Sequence, residues 1–439
     1  MVKVAKFGGS SLASAEQFRK VGDIVRADES RRYVVPSAPG KRFHGDTKVT
    51  DLLYTCYAAA ESGDDFSDTL KEIHARYQEI IDGLHLSVDL SHEFEIIEEN
   101  MRGLSGRDYA ASRGEYLNGI VLAAYLGYEF IDASQIIRFD DEGHFDPETT
   151  NCLVGERLAQ TERAVIPGFY GAKADGSIVV FSRGGSDITG SIIARGVSAS
   201  VYENWTDVSG VMVADPRIIR NPEVIHTITY LELRELSYMG ASVMHADAIF
   251  PARKAGIPIN IRNTNAPEDE GTMIVERTSR IPKYTITGIA GKKDFVAVNI
   301  EKDQMNSEIG FGRRVLSAFE KYNLSFEHMP SGVDTMTIVI NQKDFQEKEQ
   351  KVLTEITRLT HPDSLDLEPD IALIAVVGRC MKENRGTAAR IFAALAHAKI
   401  NVKMIDQGSS EINVIIGVKN ADFENAIRAI YDIFVTTQL

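Results

Sequence analysis

After about Pro282 the chain runs twice through the same order of elements, and this repeat restricts the fold more than any single motif. FVAVNIE, GFGRRVLSAFEKYN, LSFEHMPSG, TMTIVIN and FQEKEQKVLTEITRL read as strand, helix, strand, strand, helix. IALIAVVG, GTAARIFAALAHAK, INVKMIDQGSS, EINVIIGV and ADFENAIRAIYDIF repeat that order. Two such runs predict tandem ferredoxin-like α+β modules over about 294–370 and 371–439, a shape suited to pairing sheets and holding small ligands. The second run lacks a final strand, and TITGIAG stands spare ahead of the first. Residues 284–291 would then complete the second module, and the first would be inserted into it.

The stretch before this repeat, residues 1–282, has a different grammar. VKVAKF is followed by SAEQFRKVGDIVRAD, RYVVPSA by KVTDLLYTCYAAAES, and AVIPGF and SIVVFS by DITGSIIARGVSA. Strand-helix alternation of this kind predicts an α/β domain with a mainly parallel sheet sandwiched by helices. Between Asp64 and Leu104 the pattern is helical throughout, with interleaved charges, and reads as a helical insertion beside the sheet.

Composition narrows the setting. The 439 residues allow roughly two to four domains, and 44% hydrophobic residues suffice for ordinary cores. No apolar run reaches the ~18 residues of a membrane span, and the N-terminus lacks a signal-peptide pattern, so a cytoplasmic protein without membrane contact is expected. Cys56, Cys152 and Cys380 have no paired spacing, which predicts neither disulfides nor a metal site. A net charge of −15 argues against nucleic acid as the main partner. An anionic small ligand is still allowed, because it needs only a local cluster of positive groups.

Two glycine-paired stretches carry the chemistry. Val2, Val4 and Phe7 suit a buried strand that ends in Lys6, Gly8, Gly9, Ser10 and Ser11. A glycine pair lets backbone N–H groups approach an anion, although the stretch matches neither GxxxxGK[ST] nor GxGxxG, and a tight strand-to-helix turn reads equally well. FSRGGSDITGS repeats the theme: Arg183 offers a planar fork for a carboxylate, and Gly184 and Gly185 let the backbone close on a ligand. Asp187 either serves that site or only caps the next helix, and Arg183 alone could be a surface ion pair. Both loops should follow strands and converge at one rim of the sheet.

KFGGSS, SRGGSD, NWTDVSGVMVADPR and the tandem modules together closely resemble the aspartokinases of the amino acid kinase family, whose C-terminal modules are ACT domains. The resemblance covers essentially the whole chain. It implies transfer of the ATP γ-phosphoryl to the side-chain carboxylate of L-aspartate, giving 4-phospho-L-aspartate, the first step toward lysine, threonine and methionine. By the same resemblance, Lys6 neutralises the transferring phosphoryl group, and Asp187 organises the donor and the lysine. Arg183 with Gly184 holds the substrate α-carboxylate, Glu115 receives its α-ammonium, and Ser37 and Thr50 supply substrate-side hydroxyls. Gly8, Gly9, Ser10, Thr206, Asp207 and Arg217 fall on the ATP side, with Mg2+ on the phosphates. TDVSG and ADPR also read as ordinary turns.

One position departs from the family. Many members carry GAK where this chain has GASVMH, so Ser242 replaces a phosphate-facing lysine. Either Arg217, Arg253 or Lys254 takes over that charge, or magnesium carries more of it. His245 reads as a packed helix histidine, since the transfer needs no imidazole. The rival readings are a kinase of another small carboxylate or carbamate, and a catalytically silent amino-acid sensor. The latter would be favoured by loss of Lys6 or Asp187, and both are present.

The tandem modules imply feedback inhibition by an amino acid, with lysine ahead of threonine. The resemblance points to DQMNSEIGFG, with Met305, Ser307, Gly310 and Phe311, and to Glu327 and Asp334, although Ile309 and Gly312 depart from the lysine-binding pattern. Glu327 and Asp334 read equally well as solvated acids. Exposed sheet edges in such modules commonly pair, so a homodimer or larger homo-oligomer is expected.

Overall fold

The computed structural model describes residues 1–182, 184–241, 244 and 246–437. The chain divides into two compact units. The first is Met1–Val211, Val224–Tyr230 and Ser242–Ser279, and the second is Met212–Glu223, Leu231–Ala241 and Arg280–Leu439. Among the described residues no helix is long and apolar enough to cross a membrane.

Strands of the first unit are β1 (Lys3–Phe7), β2 (Arg31–Pro36), β3 (Glu129–Phe130), β4 (Ala164–Val165), β5 (Tyr170–Ala172), β6 (Ile178–Val180), β7 (Val201–Thr206), β8 (Thr227–Thr229), β9 (Ile259–Asn263) and β10 (Thr272–Val275). Eight of them form one sheet in the order β3-β4-β2-β1-β7-β9-β10-β8, parallel throughout except for the β9–β10 pair. β1 lies inside the sheet between β2 and β7, and Val4, Ala5 and Phe7 are wholly buried, as expected of a strand covered on both faces. Inside this sheet Glu203 accepts from Arg31 at 2.7 Å and from the Trp205 indole at 2.9 Å. Burial alone would raise its pKa, but these donors and Lys3 hold the carboxylate below its ordinary range.

The helices are α1 (Ala15–Arg26), α2 (Val49–Ser62), α3 (Ser67–Gly83), α4 (Ser91–Arg102), α5 (Arg107–Leu126), α6 (Ala133–Ile136), α7 (Pro147–Ala159), α8 (Gly185–Gly196), α9 (Tyr230–Tyr238) and α10 (Phe250–Lys254); all of α9 but Tyr230 belongs to the second unit. α1 starts where the Ser14 hydroxyl accepts from the Gln17 N–H, and it buries Phe18, Val21, Ile24 and Val25 along one face. The insertion expected from Asp64 to Leu104 is α3 and α4. Ile73, Tyr77, Ile80, Phe94 and Met101 on these helices share one core with Phe7, Leu53 and Leu117. α5 packs on α2, α4, β2 and β4, which explains why it shows no polar stripe.

One strand expectation needs correction. SIVVFS reads as a sheet strand, but β6 pairs only with β5 in a separate two-stranded hairpin. Short β-branched runs look alike in either setting, because the composition reports a half-buried pleat and not its neighbours.

The second unit holds β11 (Gly288–Glu301), β12 (Thr335–Asn341), β13 (Ser364–Val377), β14 (Met404–Asp406) and β15 (Asn413–Lys419), in the antiparallel order β12-β11-β13-β15-β14. β11 and β13 are 14 residues long and run through the whole sheet. Their first contact, Gly288–Lys292 against Val377–Leu373, lies beside β15, whereas Ala297–Glu301 pair with Glu368–Ser364 beside β12. Between the two halves the register shifts, and Asp294 and Asp370 take positive φ. Helices α11 (Phe311–Lys321), α12 (Gln342–Gln346), α13 (Glu349–Thr360), α14 (Thr387–His397) and α15 (Phe423–Tyr431) complete the unit. Val298, Ile300, Ile338 and Ile340 meet Phe311, Val315, Phe319, Val352 and Ile356 in one core. LSFEHMPSG does not form the expected strand. It touches β12 only through bridges at His328 and Ser331, and the proline at 330 with no N–H limits the ladder.

Candidate active site

The site is assembled from the C-terminal ends of β1 and β2, the face of α5 beneath them, and the first turn of α8. Lys6 is the last but one residue of β1 and is buried. Its ammonium lies 2.6 Å from Asp187 Oδ1, and the Asn204 amide donates to the same oxygen at 2.8 Å. Asp187 does not cap α8: Gly184, with φ +58°, is the cap, and the aspartate turns toward β1. Tyr202 secures the turn from behind by donating its hydroxyl to the Asp187 carbonyl at 3.0 Å.

The glycines after β1 are required by close backbone packing. Gly8 N–H donates to the Trp205 carbonyl at 3.0 Å, and the Gly40 N–H donates to the Gly9 carbonyl at 2.8 Å. A Cβ on Gly40 would stand 2.6 Å from the Gly9 carbonyl carbon, and one on Gly9 would stand 2.8 Å from the Ala38 oxygen. Both obstacles are backbone, which cannot swing aside. Gly40→Ala should therefore destabilise the protein by about 1–3 kcal/mol, read as a lower denaturant midpoint at unchanged m-value. Ser10 is exposed in the short turn that follows, while Ser11 is buried against the Thr264 hydroxyl at 2.8 Å.

On the other side of β1, the Ser37 N–H donates to the Phe7 carbonyl at 3.0 Å, which brings the exit of β2 beside Lys6. Ser37 and Thr50, the latter in the first turn of α2, are partly buried. Glu115 on α5 is buried, accepts from the Ala38 N–H, and among the described residues leaves Oε2 without a partner. Burial pushes its pKa up to about 8, against the opposing pull of that N–H and of Arg113. Among the described residues no cation bonds its free oxygen, so this is a carboxyl group placed where a donor would be welcome.

Thr206 ends β7 and Asp207 follows, exposed, with the threonine hydroxyl 3.2 Å from its carboxylate. Since Trp205 pairs with Phe7, these two residues leave the sheet beside the Gly8–Gly9 turn. Arg217 belongs to the second unit, is exposed, and grips Asp215 at 2.6 to 3.0 Å. Arg253 pairs with Glu276 at 3.2 Å, and Lys254 is exposed. Arg183, Ser242 and His245 lie outside the described residues.

Within the second unit, Met305 and Phe311 are buried in the core, so they can offer a ligand only backbone. Ser307 is exposed, and Gly310, with φ +78°, opens α11. Asp334 accepts from the Gln304 N–H at 2.9 Å and shapes the loop that holds Met305 and Ser307. Glu327 stands apart on the segment after α11 and bonds the Tyr238 hydroxyl.

Three positioning residues escaped the sequence reading. Asn204 was visible inside NWTDVSG, yet only the register of β7 beside β1 shows that it faces Asp187. Buried Arg76 donates to the Gly40 carbonyl at 2.7 Å, and Asn118 donates to the Ser37 carbonyl at 2.7 Å. Both bond to main-chain oxygens, which leave no trace in a side-chain pattern.

Comparisons with known proteins agree in kind. The family model described as the amino acid kinase family matches residues 1–263, and an ACT domain model matches 374–434. Aspartokinase 3 of Bacillus subtilis is 41% identical, covering 99% of this chain and 98% of its own length. A crystal structure of Clostridium acetobutylicum aspartate kinase superposes with a TM-score of 0.94 at 52% identity, over 99% of this chain and 100% of that one. Escherichia coli aspartokinase III, solved with aspartate and ADP, shares the fold at a TM-score of 0.75 and 24% identity, over 99% of each chain. The same enzyme solved with lysine and aspartate gives 0.75 at 23%, also over 99% of each.

Proposed function

Because the chain belongs to the amino acid kinase family and is an aspartate kinase carrying an ACT domain, we propose that Lys6 and Asp187 form the phosphoryl-transfer centre for ATP and L-aspartate. The observation that carries this reading is the 2.6 Å contact between Lys6 and Asp187, made beside two glycine turns whose backbones touch. A side-chain oxygen of aspartate attacks the γ-phosphorus, the bond to the β,γ-bridging oxygen breaks, and ADP leaves with that oxygen's charge. The protein has little covalent work to do, so its contribution is position and charge. Lys6 offsets the negative charge spread over the transferring group. Asp187 aims the ammonium, and Asn204 fixes Asp187.

Gly9 and Ser10 would approach the phosphates through backbone N–H groups, while Gly8, whose N–H is held by the Trp205 carbonyl, would only let them come close, with Thr206 and Asp207 on the adenosine side. Arg217 is proposed for the phosphates on the strength of the family resemblance. The Asp187 carboxylate, whose side chain is 18% exposed, would hold the Mg2+ ion that accompanies the phosphates. When bound, that ion would neutralise the β- and γ-phosphate oxygens. Glu115 would hold the substrate ammonium, Arg183 and Gly184 its α-carboxylate, and Ser37 and Thr50 would contact it through their hydroxyls.

Inhibition by an amino acid, lysine ahead of threonine, is proposed for the 305–311 loop and Glu327. Gly310 presents the N-terminus of the 11-residue helix α11, which favours a carboxylate, and Glu327 offers charge to a distant ammonium. Asp334 serves as the brace of that loop. We also propose a homodimer or larger assembly, since β14 is a short sheet edge with Ile405 exposed.

Acyl phosphate formed from ATP and aspartate, trapped with hydroxylamine, tests the activity. Adding lysine or threonine separately tests the regulation. Lysine should inhibit at millimolar concentration or below, and Glu327→Ala should weaken that inhibition by about tenfold, as expected for one lost charge-assisted contact. Unchanged lysine sensitivity in the variant would remove Glu327 from the site.

A further inference from the structure

We infer that Asn118 is a second acceptor for the α-ammonium of the amino-acid substrate, and so helps the enzyme distinguish aspartate from a plain dicarboxylate. The inference rests on the proposed role of Glu115. Asn118 lies three residues beyond Glu115 on α5, so the two side chains are neighbours on one helix face. Asn118 is wholly buried. Its amide nitrogen donates to the Ser37 carbonyl at 2.7 Å, and this fixes the side chain's sense, because the flipped amide would set two oxygens against each other. Among the described residues its Oδ1 is left buried without a partner, as is Glu115 Oε2.

Buried acceptors are rarely left unsatisfied, and two orphans one turn apart ask for a single explanation. An ammonium group carries three donors and no acceptor, which is the complement of one carboxylate oxygen and one amide oxygen. The place also fits. Glu115 bonds the Ala38 N–H and Asn118 the Ser37 carbonyl, so both are tied to the segment that Ser37 anchors to the end of β1. A carboxylate alone would recognise any cation. Adding a neutral acceptor at a set angle selects a group able to donate in two directions.

The test compares L-aspartate with succinate, which keeps both carboxylates and lacks the ammonium. In the intact enzyme, Asn118→Ala should raise KM for aspartate about tenfold and the competitive Ki of succinate far less, with KM for ATP unchanged. Asn118→Ser keeps an oxygen acceptor and should recover part of the loss. If Asn118 merely braces Ser37, the variant will weaken aspartate and succinate alike, and the inference falls. Should Asn118→Ala fold poorly, Asn118→Ser and Asn118→Asp carry the same comparison: an unchanged aspartate-to-succinate ratio in both overturns it. Glu115→Gln, measured in parallel, separates the two readings. If it discriminates and the Asn118 variants do not, only the present inference fails. If it affects both ligands equally, the ammonium role of Glu115 fails.

Discussion

Lys6→Ala should lower kcat by roughly a hundredfold or more with little change in KM for aspartate, since the lost charge acts mainly on the transition state. The expected stability cost is smaller than that of breaking a fully buried pair. Asp187 retains its bond from Asn204 and its side chain is 18% exposed, so water can solvate the orphaned carboxylate. Lys6→Arg is a sharper probe: it keeps the charge but brings a broad fork into a slot sized for one ammonium, and a Cβ on Gly8 would already stand 3.6 Å from that nitrogen. A steady-state assay of both variants decides the matter. Turnover near normal in Lys6→Ala would remove the lysine from the phosphoryl site.

The second large effect is a proton linked to substrate binding. Folding raises the Glu115 pKa from 4.5 to about 8, chiefly because burial disfavours the charged form. Between those two values the folded protein holds a proton that the unfolded chain has released. Stability without substrate should therefore fall as pH rises through this window and level off above it, by a few kcal/mol at most. Glu115→Gln should abolish the slope. Bringing an ammonium to the carboxylate reverses the preference, so aspartate binding at pH 7 should expel up to about one proton, and apparent affinity should rise from pH 6 to 8. Calorimetry in buffers of different ionisation heat measures that release. Proton-neutral binding in the wild-type protein would show that the ammonium does not meet Glu115.

Much of this architecture could be read from residues alone, for identifiable reasons. VKVAKF puts apolar residues on both faces, Val2 and Val4 on one and Ala5 and Phe7 on the other, and is followed by a glycine pair, a combination that fits a central strand with crowded backbone at its exit. The 64–104 segment declared itself by helical spacing of Leu70, Ile73, Tyr77, Ile80 and Ile81. What stayed hidden depends on partners far along the chain. Nothing in SIVVFS distinguishes a hairpin strand from a sheet strand, and nothing in Arg76, Asn118 or Asn204 reveals the carbonyl or carboxylate each will serve. Lys6 and Asp187 were separable from ordinary turn residues only as a pair, because either alone has a common structural use.

The long strands β11 and β13 have a consequence for how the chain is made. Gly288–Lys292 finds its strand partner only in Leu373–Val377, after everything from α11 to α13 has been synthesised. At ordinary translation rates that interval is on the order of several seconds, during which Ile289 and Ala290 form an apolar edge held by little more than the bond from the Ile289 N–H to the Val213 carbonyl. Closing so long a loop adds little to the thermodynamic cost, since each doubling of length adds only about 0.6 kcal/mol, but it delays the event. A nascent chain halted just before β13 is thus the species most exposed to aggregation and to capture by chaperones, and release of β13 is the moment at which both halves of the sheet become able to close together.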